Sequence, residues 1–193
     1  MKNIVFLFAI FLIISCKSND KKEIVEEVVT DTIQTPINIL VPDEEDGGEM
    51  LLGIMDQKGL QLEQFKTWYD ENHLAHEMDT TSIENIKPLL SSFSIKVFMG
   101  TWCEDSQKLV PALFKVLDVA NYDSSQVEMI AVDHDKKTPD GLESGYDIEY
   151  VPTIIFSKNG KELNRIVEYE IETLEKDIFK IIDGQPYKNV YED

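Results

Sequence analysis

Gly100-Thr101-Trp102-Cys103-Glu104-Asp105-Ser106 is the stretch on which the fold turns. Ahead of it, Ile95 to Met99 is a short, mostly apolar run with β-branched residues, which predicts a strand. Gly100-Thr101 breaks the run. Behind it, Leu109, Ala112, Leu113, Val116, Leu117 and Ala120 recur at helical spacing, so Glu104 to Ala120 reads as a helix. Pro111 falls inside that helix and is expected to kink it. Cys103 therefore stands where a strand gives way to a helix N-terminus. Unpaired N–H groups and the positive end of the helix dipole meet there, and both favour a thiolate over a thiol.

The pattern continues toward the C-terminus. Val127 to Val132 reads as a strand, Pro139 to Tyr146 as a short helix and Thr153 to Phe156 as a third strand. Asn159-Gly160 is a hairpin signal, with Glu162 to Val167 as the partner strand. Ile171, Leu174, Ile178 and Ile181 mark a last amphipathic helix closed by Gly184. The order is β-α-β-α-β-β-α. Helical crossovers imply parallel pairing and the hairpin adds antiparallel pairing, so a mixed sheet with helices on both faces is expected.

Toward the N-terminus, Leu60 to Asn72 and Ser82 to Leu90 read as helices, the second capped by Thr80 or Thr81, with Pro88 near its end. His73 and His76 share an i, i+3 spacing, but no third ligand stands at a telling distance, so no metal site is expected. From Lys17 to about Gly48 the chain is polar, acidic and free of aromatics, and it reads as a flexible linker. Such a stretch spans about 30 Å r.m.s.. Folded structure is expected to begin near Met50.

Met1-Lys2 followed by the apolar run Ile4 to Ile14 has the shape of a secretory signal. The run is too short to span a bilayer, which takes about 20 apolar residues. Ile13-Ile14-Ser15-Cys16 resembles a bacterial lipobox, which implies cleavage before Cys16 and lipidation of its thiol. Cys16 and Cys103 are the only two cysteines, so no disulfide framework holds the fold. The formal net charge of -19 argues against nucleic acid and against a polybasic grip on a membrane. With 42% apolar residues, the chain has enough for a core.

Several features together resemble the thioredoxin superfamily. Trp102-Cys103-Glu104-Asp105-Ser106 stands where that family carries W-C-x-x-C. Pro111 matches the proline of its active-site helix, and Val151-Pro152-Thr153 looks like its cis-proline loop. Lys158-Asn159-Gly160-Lys161 resembles its following hairpin, and Asp133 ends the middle strand as an acid often does there. The resemblance covers about residues 93 to 183. It implies a thioredoxin-like α/β fold, a three-layer α/β/α sandwich with a mixed central sheet, here with an N-terminal helical extension. It also implies Cys103, Ser106 and Pro152 as the reactive positions, with Trp102, Val151 and Thr153 lining the substrate groove and Pro152 against Cys103. No cofactor is implied.

The organisation expected is therefore a lipoprotein signal over 1–15, an acidic tether over 16–48, a helical extension over 49–92, a thioredoxin-like domain over 93–186 and a tail over 187–193. Two departures narrow the chemistry. Ser106 replaces the resolving cysteine, and Val97 stands where thioredoxins often bury an aspartate. The expected function is monothiol thiol–disulfide exchange through Cys103, with an external thiol resolving the adduct. Its partners would be envelope proteins carrying disulfides or thiols, met by a protein lipid-anchored in the bacterial cell envelope. The alternative is a non-redox module that binds peptides in the Pro152 groove. A peroxidase-like use of Cys103 lacks a nearby arginine in sequence.

Overall fold

A computed structural model of the chain describes residues 36–192. The signal 1–15, Cys16 and the first part of the tether lie outside the described residues. The centre of the fold is β4 (Ser94–Met99). Its alternation puts Ile95, Val97 and Met99 on one face of the sheet and Phe98 on the other. β5 (Glu128–Ala131) runs parallel to β4, with Met129 opposite Val97. The connection between them is α3 (Glu104–Val119), as a parallel pair requires.

On the other side of β4, β6 (Thr153–Lys158) is antiparallel and leads into β7 (Lys161–Val167). Asn159 and Gly160 both take positive φ, at 52° and 74°, which gives the two-residue turn the twist that a hairpin needs. A short β3 (Gly53–Met55) pairs antiparallel with β5 and closes the far edge. The sheet order is β3-β5-β4-β6-β7.

Four helices cover one face: α1 (Glu63–Ala75), α2 (Thr80–Ile86), α3 and α4 (Leu174–Ile182). Under them lie Val97, Phe114, Leu117, Ile154, Phe156 and Ile178, all without solvent exposure. The opposite face is smaller. Phe98, Ile130 and Ile155 are buried there beneath Leu142, Tyr146 and Ile148. The result is three layers, with a mixed sheet in the middle.

The third layer departs from the sequence reading. No helix forms over Pro139 to Tyr146; the segment is a series of turns. Gly141 and Gly145 take φ of 68° and 82°, outside the helical range. The Glu143 carboxylate accepts from the Thr138 N–H at 3.0 Å and the Thr138 hydroxyl at 2.8 Å, and that hydroxyl accepts from the Leu142 N–H. Side-chain bonds take over the groups that a helix would have paired.

The N-terminal part differs too. Folded structure starts before Met50: β1 (Leu40–Pro42) pairs with β2 (Glu49–Leu51). The acidic run Asp43 to Asp46, read as tether, is the turn of this hairpin. Asp43 is buried and its carboxylate accepts the N–H groups of Glu45 and Asp46, while Gly47 and Gly48 supply positive φ. Residues 49–92 are accordingly not wholly helical, because they carry β2 and β3. In α2 the cap is Asp79, whose carboxylate takes the Ser82 N–H, so the helix starts earlier than Ser82 and stops at Ile86, short of Pro88.

Candidate functional site

Cys103 is the N-cap residue of α3, with φ −83° and ψ 122°. It is half-buried, and among the described residues it is the one free cysteine. Its thiol donates to the Val151 carbonyl at 3.1 Å. Val151 precedes a cis bond to Pro152, and both are buried. The expected neighbours therefore meet: the first turn of α3 and the loop entering β6 lie side by side, brought together because β4 and β6 are adjacent strands. Thr153 is buried and turns its hydroxyl back onto the Tyr150 carbonyl at 2.7 Å. Its hydroxyl thus braces the loop.

Ser106 has no exposed surface, and its hydroxyl accepts the Gly100 N–H at 3.3 Å. Its role in the fold is to tie the first turn of α3 to the end of β4. Glu104 and Asp105 occupy the same first turn, where acidic side chains complement the positive end of the helix dipole. Val97 lies in the core with no exposure, so no acid stands beneath the thiol at that position.

Trp102 is fixed from several directions. Its indole N–H donates to the Val132 carbonyl at 3.0 Å. Its ring stacks on His134, with centroids 4.1 Å apart and planes 20° apart. Gly100 leaves room for it: a Cβ there would fall 2.4 Å from indole carbon Cε2. Thr101 beside it is buried, and its hydroxyl accepts the Leu51 N–H at 3.1 Å.

His134 and Asp43 were not visible from sequence. His134 Nε2 lies 3.0 Å from Asp43 Oδ1. An ionised carboxylate can only accept, so that ring nitrogen carries the proton. Burial pushes the Asp43 carboxyl up, but the Asp46 N–H, the His134 ring and the Glu45 N–H outweigh it and hold it below its ordinary value. Asp43, Asp46 and His134 bring ligand-type atoms within 4.8 Å of one another. Asp43 Oδ1 is already taken by the ring and two backbone N–H groups. No sequence signal links the pair, because 91 positions separate them. His73 and His76 do not converge: His73 stands near Asp118, whereas His76 pairs with the buried Glu175 at 2.8 Å.

Comparisons with known proteins bear on the family. A family model described as Thioredoxin matches residues 77–182. Thioredoxin H9 of Arabidopsis thaliana is 28% identical over 89 residues, covering 46% of this chain and 59% of that protein. The chloroplastic Thioredoxin Y of Oryza sativa subsp. japonica is 34% identical over 68 residues, covering 35% of this chain and 38% of that protein. The chain thus spans less than two thirds of the length of these relatives. A solved Pseudomonas aeruginosa protein of unknown function aligns with a TM-score of 0.49 at 16% identity, over 64% of this chain and 86% of that one.

Proposed function

The chain belongs to the thioredoxin family, and on that premise we propose that it is a tethered monothiol protein of the bacterial cell envelope that exchanges disulfides through Cys103. The observation that carries the reading is the contact of the Cys103 thiol with the Val151 carbonyl, beside Pro152, at the start of α3. A thiol that donates to a carbonyl is protonated. The nucleophile is the thiolate, formed when the sulfur leaves that oxygen and its proton passes to solvent. Moving off also frees the Val151 carbonyl to accept an N–H from an extended substrate chain.

In the first step the Cys103 thiolate attacks one sulfur of a substrate disulfide. A Cys103–substrate disulfide forms, the substrate S–S bond breaks, and the second substrate sulfur leaves as a thiolate. Ser106 has no sulfur with which to attack that adduct, and its hydroxyl is held on the Gly100 N–H. An external thiolate therefore attacks the substrate sulfur of the adduct and releases Cys103 as a thiolate. The electrons balance because the external thiol ends in the disulfide that Cys103 gives up. Lipidation of Cys16 would leave Cys103 as the one thiol of the mature chain and hold the domain near the membrane. The competing reading is a non-redox module that holds extended peptides in the Pro152 groove. The burial of Ser106 favours it, because a buried hydroxyl tying α3 to β4 is needed by the fold alone.

One experiment on the full chain, isolated from envelopes in detergent, separates these readings. The probe is glutathione disulfide, and peptide mass spectrometry reads both cysteines. The expected result is a stable glutathione adduct on Cys103, released only by added thiol, with Cys16 carrying lipid. Ser106→Cys should release glutathione unaided and leave an internal disulfide. A Cys103 peptide that stays unmodified would point to the binding module, and an unlipidated Cys16 would remove the tether.

A further inference from the structure

We propose that Asp43 and His134 position the Trp102 indole beside Cys103, which makes the N-terminal β1–β2 hairpin a working part of the thiol site. The hairpin lies outside residues 77–182, the stretch that the family model matches. One bond nevertheless joins it directly to the loop that carries the thiol, and a second reaches that loop through His134. The Leu51 N–H donates to the Thr101 hydroxyl at 3.1 Å, and both groups are buried. Asp43 reaches His134 at 3.0 Å, and His134 lies flat on Trp102.

The Asp43 end of this chain of contacts is buried and held from two sides. Its side chain is 4% exposed, and its carboxylate is oriented by the Glu45 and Asp46 N–H groups at 3.1 Å each. A buried carboxylate so fixed sets the plane and tautomer of the ring that it holds. The His134 side chain is itself only 16% exposed, with Glu45 3.7 Å from its second nitrogen. The ring in turn limits the indole, which the Val132 carbonyl grips by its N–H. Lys136 stands 5.7 Å from the centre of the same indole.

A free indole at Trp102 would swing with the loop Gly100–Cys103. A pinned one keeps an apolar wall in one place on the small cluster of Phe98, Val132 and Val151 against which Cys103 also packs, and so limits how a disulfide can approach. Small displacements near a reacting atom cost rate steeply. Asp43 and His134 are positioning residues in this scheme, since the Cys103 thiol bonds to Val151 and to neither of them.

The proposal rests on the exchange reading for its effect on rate but not for its effect on the indole, so the two are tested separately. The chain has two tryptophans, so Trp68→Phe leaves Trp102 as the sole indole emitter. In that background D43N, H134Q and their double variant are compared by Trp102 emission and by the rate at which Cys103 reacts with glutathione disulfide. Each single variant is expected to shift the emission and to change the rate by about tenfold, with the double no worse than either single, as a shared pathway requires. His134→Phe keeps a stacked ring that needs no carboxylate. In that variant a folded D43N should change neither readout; where D43N folds poorly, H134Q, which leaves the Asp43 bonds to the Glu45 and Asp46 N–H groups in place, carries the test. Unchanged Trp102 emission in a folded D43N protein, or additive effects in the double, would overturn the positioning. A wild-type Cys103 that does not react while the emission still responds would overturn the exchange reading alone.

Discussion

Gly100 shows how one missing atom can set a site. Its φ is not positive, so backbone freedom is not what the position needs; the indole of Trp102 fills the space that a Cβ would take, at 2.4 Å. Gly100→Ala must push the ring off His134, off the Val132 carbonyl, or both. The expected cost is about 1–3 kcal/mol of stability, the range for overpacking a tight site. Thermal melts would read the loss, and a Trp102 emission shift would locate it. A variant with wild-type stability and emission would mean that the loop yields elsewhere. At this scale the candidate site was legible in part. Cys103, Ser106 and Pro152 stand at spacings that a reader can match to a family. Asp43 and His134 do not, because their meeting depends on where two distant turns land.

The elements divide along the same line. β4, α3 and the β6–β7 hairpin follow from local patterns: alternation, helical spacing and Asn159-Gly160. The β1–β2 hairpin was hidden because Asp43 to Asp46 looks like a solvated charge run, whereas the fold buries Asp43 against His134. Pro139 to Tyr146 was misread for a related reason. Its apolar residues have helical spacing, but Thr138 and Glu143 bond to each other and Gly141 and Gly145 turn the chain. Thr138→Val tests that account. It removes a hydroxyl that donates to Glu143 and accepts from the Leu142 N–H, both part of a tight buried turn. The expected loss is about 1–2 kcal/mol. Faster hydrogen exchange should be confined to residues 138–146, leaving β4 and α3 protected. Uniform acceleration across the sheet would show instead that the turn layer folds as one unit with the core.

At the scale of the molecule the question is how an acidic chain stays folded as pH changes. Burial raises the Asp43 carboxyl, yet hydrogen bonds from Asp46, His134 and Glu45 bring it below the ordinary value. For Glu143 the bond from its own N–H and that from Thr138 lower the value. Burial raises Glu175, but His76 and backbone N–H groups outweigh it. A carboxylate with a lowered folded value stabilises above its unfolded value, near 4, and loses that contribution as pH falls through the folded one. Asp177 runs the other way. Burial keeps its folded value high despite bonds from the Ile171 N–H and the Tyr187 hydroxyl, so its contribution is present in acid and lost as pH rises through the folded value. Relief of self-repulsion at a net charge of -19 also favours folding in acid. Asp79, Asp123 and Glu172 are lowered as well, and we expect the lowered carboxylates together to prevail below about pH 4, so that the melting temperature falls there. Added salt at pH 7 should raise it by screening. Melts of wild type and D43N from pH 7 to pH 3 isolate the Asp43 part. The gap between them should be full at pH 7 and close as Asp43 takes up its proton. A gap that stays constant through that range would mean that Asp43 stabilises the hairpin by packing rather than by its charge.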